Sequence, residues 1–144
     1  MFEIVHTVTD WYDGPRKGIA DYQGKPHLFQ SDWKDGENLD AETFSLMPID
    51  GPTLVLALEE WAMYRRWEEL YYGAPVTEET DLDAPPFLPE DRSRHAELER
   101  LLEGRLVIDP TLSVQKKAEF RVRDDPSWSG RGTRPLEVQW AGLD

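Results

Sequence analysis

The sequence predicts an α+β fold, a mostly antiparallel sheet (N-terminal meander plus C-terminal hairpin) packed against two helices. Three observations lead there. The first fifty residues alternate between short β-like runs and Gly, Pro and Asp turn signals. A single apolar stretch, Thr53 to Tyr72, then runs without Gly or Pro. The last third returns to period-two patterns around Phe120 and Val138. No boundary leaves two self-sufficient cores, so residues 1–144 are expected to form a single domain.

Phe2 to Trp11 is rich in Val, Ile and Thr and carries apolar residues on both alternating faces, as a strand covered on both sides would. Tyr12-Asp13-Gly14-Pro15 breaks it. Lys17 to Tyr22 and Pro26 to Ser31 read as the next two strands, with Gln23-Gly24 as a two-residue turn between them. Lys34 to Asn38 is a polar loop, and Thr43 to Met47 is the fourth strand of the meander.

The central helix is expected at about residues 53–72. Pro52 suits a first turn, Asp50 or Thr53 can cap it, and Gly73 and Pro75 end it. Such a run is ~30 Å long. Leu54, Ala57, Leu58, Trp61 and Tyr64 form one stripe; Leu56, Met63, Trp67 and Leu70 form another. Apolar residues so spread predict burial on more than one side. Arg65 reaches Glu68 and Glu69, and Arg66 reaches Glu69, at helical spacing.

Residues 73–89 form an acidic, Pro-rich connection, long enough to be either functional or mobile, with Phe87 and Leu88 tucked back at its end. Glu90 to Glu103 reads as a second helix with a narrow seam of Leu98, Leu101 and Leu102. Leu106-Val107-Ile108 is expected as a short buried strand or an extension of the preceding turn. Ala118, Phe120 and Val122 mark a half-buried strand, and Leu136, Val138 and Trp140 the last one. The two pair most simply as a hairpin across the polar loop Asp124 to Pro135.

The chain carries 16 basic and 29 acidic residues, a net charge of -13. That argues against nucleic acid and anionic membranes as partners and is compatible with a basic protein partner, a nucleic-acid mimic or plain solubility. Apolar residues are 39% of the chain and it holds six Trp, so the core is expected to rely on rings. There is no Cys, hence no disulfide, thiolate zinc site or Cys nucleophile. The N-terminal residues resemble no signal peptide and no window is apolar enough to span a bilayer. A soluble cytoplasmic protein is expected, with its oligomeric state left open.

Three segments, YDGPRKGIADYQGKPHLF, ALEEWAMYRRWEELYYG and LPEDRSRHAELERLLEGRL, resemble a family of bacterial proteins to which no activity is assigned. The resemblance implies a bacterial single-domain protein and brings no cofactor or site.

The three histidines, His6, His27 and His95, show no metal-ligand spacing, so no metal and no cofactor is expected. His6 and His27 with Asp10 or Asp21 form the one conceivable imidazole–carboxylate site; hydrogen-bonded sheet histidines are the plainer reading. No Ser sits in a nucleophile elbow, and Ser129-Gly130-Arg131-Gly132 reads as a flexible loop. The best constellation is Trp61, Tyr64, Arg65, Trp67 and Glu68, where a guanidinium among rings can stack and still bind a carboxylate. The plainer reading is a helix that buries its rings and pairs its own charges. A second candidate is the turn around Arg16, a basic spot flanked by Trp11 and Tyr12 in an acidic chain. These features predict a non-enzymatic protein-interaction module. The alternatives are a small-ligand-binding protein or enzyme with a pocket between the sheet and the central helix, using Arg65, Glu68 and His6 or His27, or a subunit of a larger bacterial or phage-like assembly.

Overall fold

Six antiparallel strands, paired in sequence order, close into a barrel. They are β1 (Glu3–Trp11), β2 (Pro15–Tyr22), β3 (Lys25–Ser31), β4 (Thr43–Pro48), β5 (Val114–Val122) and β6 (Leu136–Ala141). Between β4 and β5 lie two helices, α1 (Gly51–Gly73) and α2 (Arg92–Leu102). This computed structural model describes residues 1–32, 43–73 and 87–143. The expected loop at Lys34–Asn38 and most of the acidic 73–89 connection fall outside the described residues. The chain divides into two compact units: Met1–Asp50, Leu106–Arg123 and Leu136–Asp144 form one, and Gly51–Arg105 with Asp124–Pro135 forms the other.

The barrel corrects the expected fold class. The mix of helices and strands is as predicted, but the sheet is not an open layer. Its two outer strands find each other, with Glu3 opposite Val138 and Ile4 opposite Glu137. Closure satisfies both edges and turns one face of every strand inward, so the sheet buries that face against itself. Val5, Ala20, Phe29, Phe44, Leu46, Leu136 and Val138 fill this interior, and Phe120 and Trp140 pack against them. Phe29 lies 5.8 Å from Phe44, 5.6 Å from Phe120 and 6.1 Å from Trp140 between ring centroids, so rings hold the centre. The indole of Trp140 also donates to Asp21 O at 2.9 Å, which meets the polar need of a half-buried Trp.

The β2–β3 connection is the tight turn the sequence suggests. Gln23 and Gly24 both have positive φ, 54° and 76°, and close the Tyr22–Lys25 pair. Their N–H groups donate to the Glu3 carboxylate at 3.2 and 2.7 Å, tying the turn to β1. No strand forms at Leu106–Ile108. Instead a 3-10 turn, Pro110–Leu112, leads into β5, and Asp109 caps it by accepting from Thr111 N at 2.9 Å.

In the helical unit, α1 buries Thr53, Ala57, Met63, Trp67 and Glu68, whereas Val55 is 65% and Leu70 46% exposed. At 100° per residue the buried set falls within roughly 140° of the circumference. The predicted burial on more than one side is therefore replaced by a single buried face. Hydrophobicity alone overstated it because the rings lie along the helix and cover one another. Trp61–Tyr64, Tyr64–Trp67 and Trp67–Tyr71 have centroid separations of 5.4, 5.9 and 5.1 Å. The second helix is joined to α1 by ion pairs. Arg94 grips Glu59 at 2.7 and 2.8 Å, Arg66 grips Asp91 at 2.9 and 3.1 Å, and His95 approaches Glu60 at 3.3 Å. Leu98 and Leu102 are buried. Leu88 is buried and Phe87 stacks on His95 at 3.7 Å, so the end of the acidic connection does tuck inward. No helix among the described residues is long and apolar enough to cross a membrane.

Candidate functional site

Antiparallel order places the ends of β1, β3 and β5 and the starts of β2, β4 and β6 at one end of the barrel. There β1 outruns its closing partner. Its pairing with β6 stops at Ile4, while its pairing with β2 continues to Trp11 opposite Pro15. Three register irregularities, between Val5 and Thr7, Val8 and Asp10, and Asp10 and Trp11, interrupt that ladder. Bulges increase twist and bend a strand, and the β1–β2 tip is brought back to the barrel end.

The tip is rigidly built. Asp13 and Gly14 have φ of 52° and 114°, conformations that favour Asn, Asp and Gly. Tyr12 N donates to Gly14 O at 2.9 Å. Arg16 braces the same turn from its guanidinium, with Nε on Tyr12 O at 2.6 Å and Nη2 on Asp13 O at 3.1 Å. Trp11 and Tyr12 stand out beside it, 59% and 62% exposed.

Between the tip and the barrel mouth lies a cleft of about 460 Å3, a volume typical of ligand sites. Phe44, Ala118, Phe120 and Leu136 provide apolar wall, and Trp11, Asp13, Arg16 and Arg121 stand among its lining residues. Arg121 is fixed by donating from Nε to Glu137 at 2.6 Å and by lying 3.6 Å over the Phe2 ring. The cleft thus joins apolar wall from the barrel interior to a polar rim at the tip, and is made from the barrel unit alone. No protein-family model, curated protein or solved structure matches the chain. The functional reading therefore rests on this geometry.

Of the residues singled out from sequence, Trp11 and Arg16 meet at this cleft. Trp61, Tyr64, Arg65, Trp67 and Glu68 are also gathered, but in the other unit and around a different task. Glu68 is 3% exposed. One carboxylate oxygen accepts from Arg65 and from Thr133 N at 2.8 Å; the other accepts from Thr133 Oγ1 at 2.8 Å. Arg65 also donates to Arg131 O at 3.1 Å. The Arg–Glu pair thus clamps the loop Asp124–Pro135 to α1. Of Ser129-Gly130-Arg131-Gly132, expected to be a plain flexible loop, Gly132 lies against Glu68 and Arg131 O accepts from Arg65. Its Trp128 donates from Nε1 to Arg131 O at 3.3 Å, and Arg134 lies 5.2 Å over the Trp128 ring.

Tyr64 reports on the clamp. Burial, reinforced by the charge of Glu68 and the hydrogen bond to it, pushes its hydroxyl up to about 12. An unfolded tyrosine titrates near 10, so this protonated phenol contributes stability that is complete below pH 10 and is lost as pH rises towards 12. Absorbance at 295 nm is expected to show one phenol titrating near pH 12, and Tyr64→Phe to remove that phase.

The histidines take structural places. His6 Nε2 lies 2.8 Å from Asp21 Oδ1, and His27 donates from Nδ1 to Lys25 O at 2.8 Å with its ring against the edge of Tyr22. Among the described residues no group of three or more His, Asp or Glu is placed to hold a metal ion. Phe44, Phe120, Arg121 and Leu136 were missed as site residues. Their strand patterns were visible in sequence, but their convergence exists only once the barrel closes.

Proposed function

We propose that the chain is a non-enzymatic binding module that engages a protein partner at the mouth of its barrel. The observation that carries this reading is the braced β1–β2 tip standing over an apolar cleft. A rigid rim loses little conformational entropy on binding. Exposed Trp and Tyr beside Arg are the side chains that dominate interface energetics. Beside the tip, Phe44, Ala118, Phe120 and Leu136 offer apolar wall for an anchor from the partner. The charge of -13 steers a basic partner towards the surface and repels nucleic acid and anionic membranes. A Cys-free chain of this kind suits the reducing cytoplasm.

A photo-cross-linking amino acid at Tyr12 is expected to give a discrete protein adduct in cells of the native host. The same probe at Val55, exposed on α1, is the control. Trp11→Ala is expected to weaken capture by about tenfold or more, as for an interface hot spot. It should leave the thermal midpoint within about 2 °C, as for a surface substitution. Adducts from Val55 with none from Tyr12 would move the binding face off the barrel.

A further inference from the structure

Helix α2 is fastened to α1 in part through one histidine. We infer that His95 and Glu60, with Glu99 beside them, form a proton-operated clasp, which holds α2 and Phe87 against α1 while the imidazole is charged and loosens when it is neutral.

The first ground is the gathering of carboxylates on one ring nitrogen. His95 Nε2 lies 3.3 Å from Glu60 Oε2 on α1 and 3.6 Å from Glu99 Oε1 on α2 itself. A charged imidazole answers both carboxylates. A neutral one brings at most a single N–H to this atom and no charge, so the repulsion between Glu60 and Glu99 goes unanswered. The side chains of His95 and Glu60 are only 15% and 24% exposed, and salt screens a partly buried pair weakly.

The second ground is the other face of the ring. Phe87 stacks on the imidazole at 3.7 Å, with the two planes 27° apart. A positive ring gains from the electron-rich face of an aromatic one. One proton therefore acts on two attachments, α2 to α1 through Glu60 and Phe87 to α2 through the stack. Phe87 has a further hold, since Arg92 donates from Nε to its carbonyl at 3.4 Å. A guanidinium stays charged, so the clasp loosens at neutrality without letting Phe87 go.

The third ground is that the neighbouring charges are already matched. Arg94 holds Glu59 on α1 and Glu97 on α2, and Arg66 holds Asp91. Among the described residues His95 is the cation placed against Glu60. Burial holds the Glu60 carboxyl above the usual carboxylate range, and the charge of His95 works against that. A carboxyl raised by burial costs stability once it ionises, and His95 offsets this cost only while protonated. The clasp is therefore tightest at mildly acid pH, above the ionisation of Glu60, and weakens as pH rises through the range where histidines lose their charge.

The test is amide exchange in the full chain at about pH 6 and about pH 8, either side of histidine titration. Exchange is read as protection factors, which remove its intrinsic pH dependence. The amides of Leu98 and Leu102 are expected to be about tenfold better protected at the lower pH, the worth of one contact between charged groups. The amide of Ile19, bonded to Thr7 Oγ1 in the barrel, is the reference and is expected to show no such difference. His95→Gln is expected to abolish the difference, because its amide can still donate to a carboxylate but carries no titrating proton. Glu60→Gln leaves His95 facing only the exposed Glu99 and is expected to cut the difference below about threefold. Equal protection of α2 at the two pH values in the parent chain would overturn the clasp. So would a tenfold difference that persists in His95→Gln or in Glu60→Gln, or one that Ile19 shares, since each places the proton elsewhere.

Discussion

Glu68→Gln is expected to destabilise the protein by about 3 kcal/mol, the lower part of the range for breaking a buried ion pair. The substitution keeps the shape of the side chain and changes only its chemistry. A carboxylate accepts on both oxygens, whereas an amide accepts on one and donates from the other. Glu68 meets donors on each side: Arg65 and Thr133 N at one oxygen, Thr133 Oγ1 at the other. With its NH2 turned towards Thr133 Oγ1 the Gln amide can keep these bonds, because the hydroxyl can turn to accept, but Arg65 loses its buried counter-charge. The loss should be local first. Exchange of the Thr133 amide proton is expected to quicken by about 100-fold, as the loop opens below the global unfolding threshold. Pairing the change with Arg65→Met should recover part of the stability, because removing both charges is less costly than stranding one. A loss under about 1 kcal/mol with unchanged exchange at Thr133 would show that this loop is held by something else. Gly132→Ala gives an independent check on the same contact. A Cβ there falls 2.4 Å from the Glu68 carboxylate, at a backbone φ of 74°, so it both strains the turn and displaces the clamp.

The clamp also shows where sequence reading stops. The Arg65–Glu68 pair follows from helical spacing and was legible. Its third member, Thr133, is 65 residues away and enters through a loop whose composition suggested only flexibility. The barrel divides in the same way. Local chemistry specifies the Gln23-Gly24 turn and the alternation of β5 and β6. Closure depends on two register pairs, Glu3–Val138 and Ile4–Glu137, which join the two ends of the chain. No residue pattern in β1 distinguishes an edge strand from a closing one, because apolar residues on both faces suit either. Trp11 and Arg16 were visible as a basic, aromatic turn, whereas Phe120 and Arg121 looked like any half-buried strand. A site made by curvature is not legible before the curvature is.

Gly18→Ala is expected to destabilise the barrel by about 3 kcal/mol or more, at or above the usual upper limit for overpacking. A methyl group at this position would sit 2.0 Å from the backbone oxygen of Thr7 and 2.9 Å from the ring of Phe29. The ring can shift, but the carbonyl belongs to the β1–β2 ladder. Beside it, the Thr7 hydroxyl accepts from Ile19 N at 3.0 Å, in the first irregular stretch of β1. Glycine is thus present for close approach of one strand to the next, which is how β1 curls towards the mouth. The opposite error is Phe29→Ala, which empties the centre and should cost about 3–5 kcal/mol. The two effects separate on combination. Adding Phe29→Leu to Gly18→Ala relieves the ring contact only, so the double variant should stay close to Gly18→Ala in chemical denaturation. Full rescue would mean that the ring, and not the Thr7 carbonyl, makes glycine necessary. The centre and the mouth are also linked, since Phe44 and Phe120 both pack on Phe29 and wall the cleft. In Phe29→Ala those rings are free to sink into the void. Even where the barrel remains folded, capture of a partner at the mouth is expected to weaken while Trp11 and Arg16 remain in place, because the cleft loses its walls before it loses its rim.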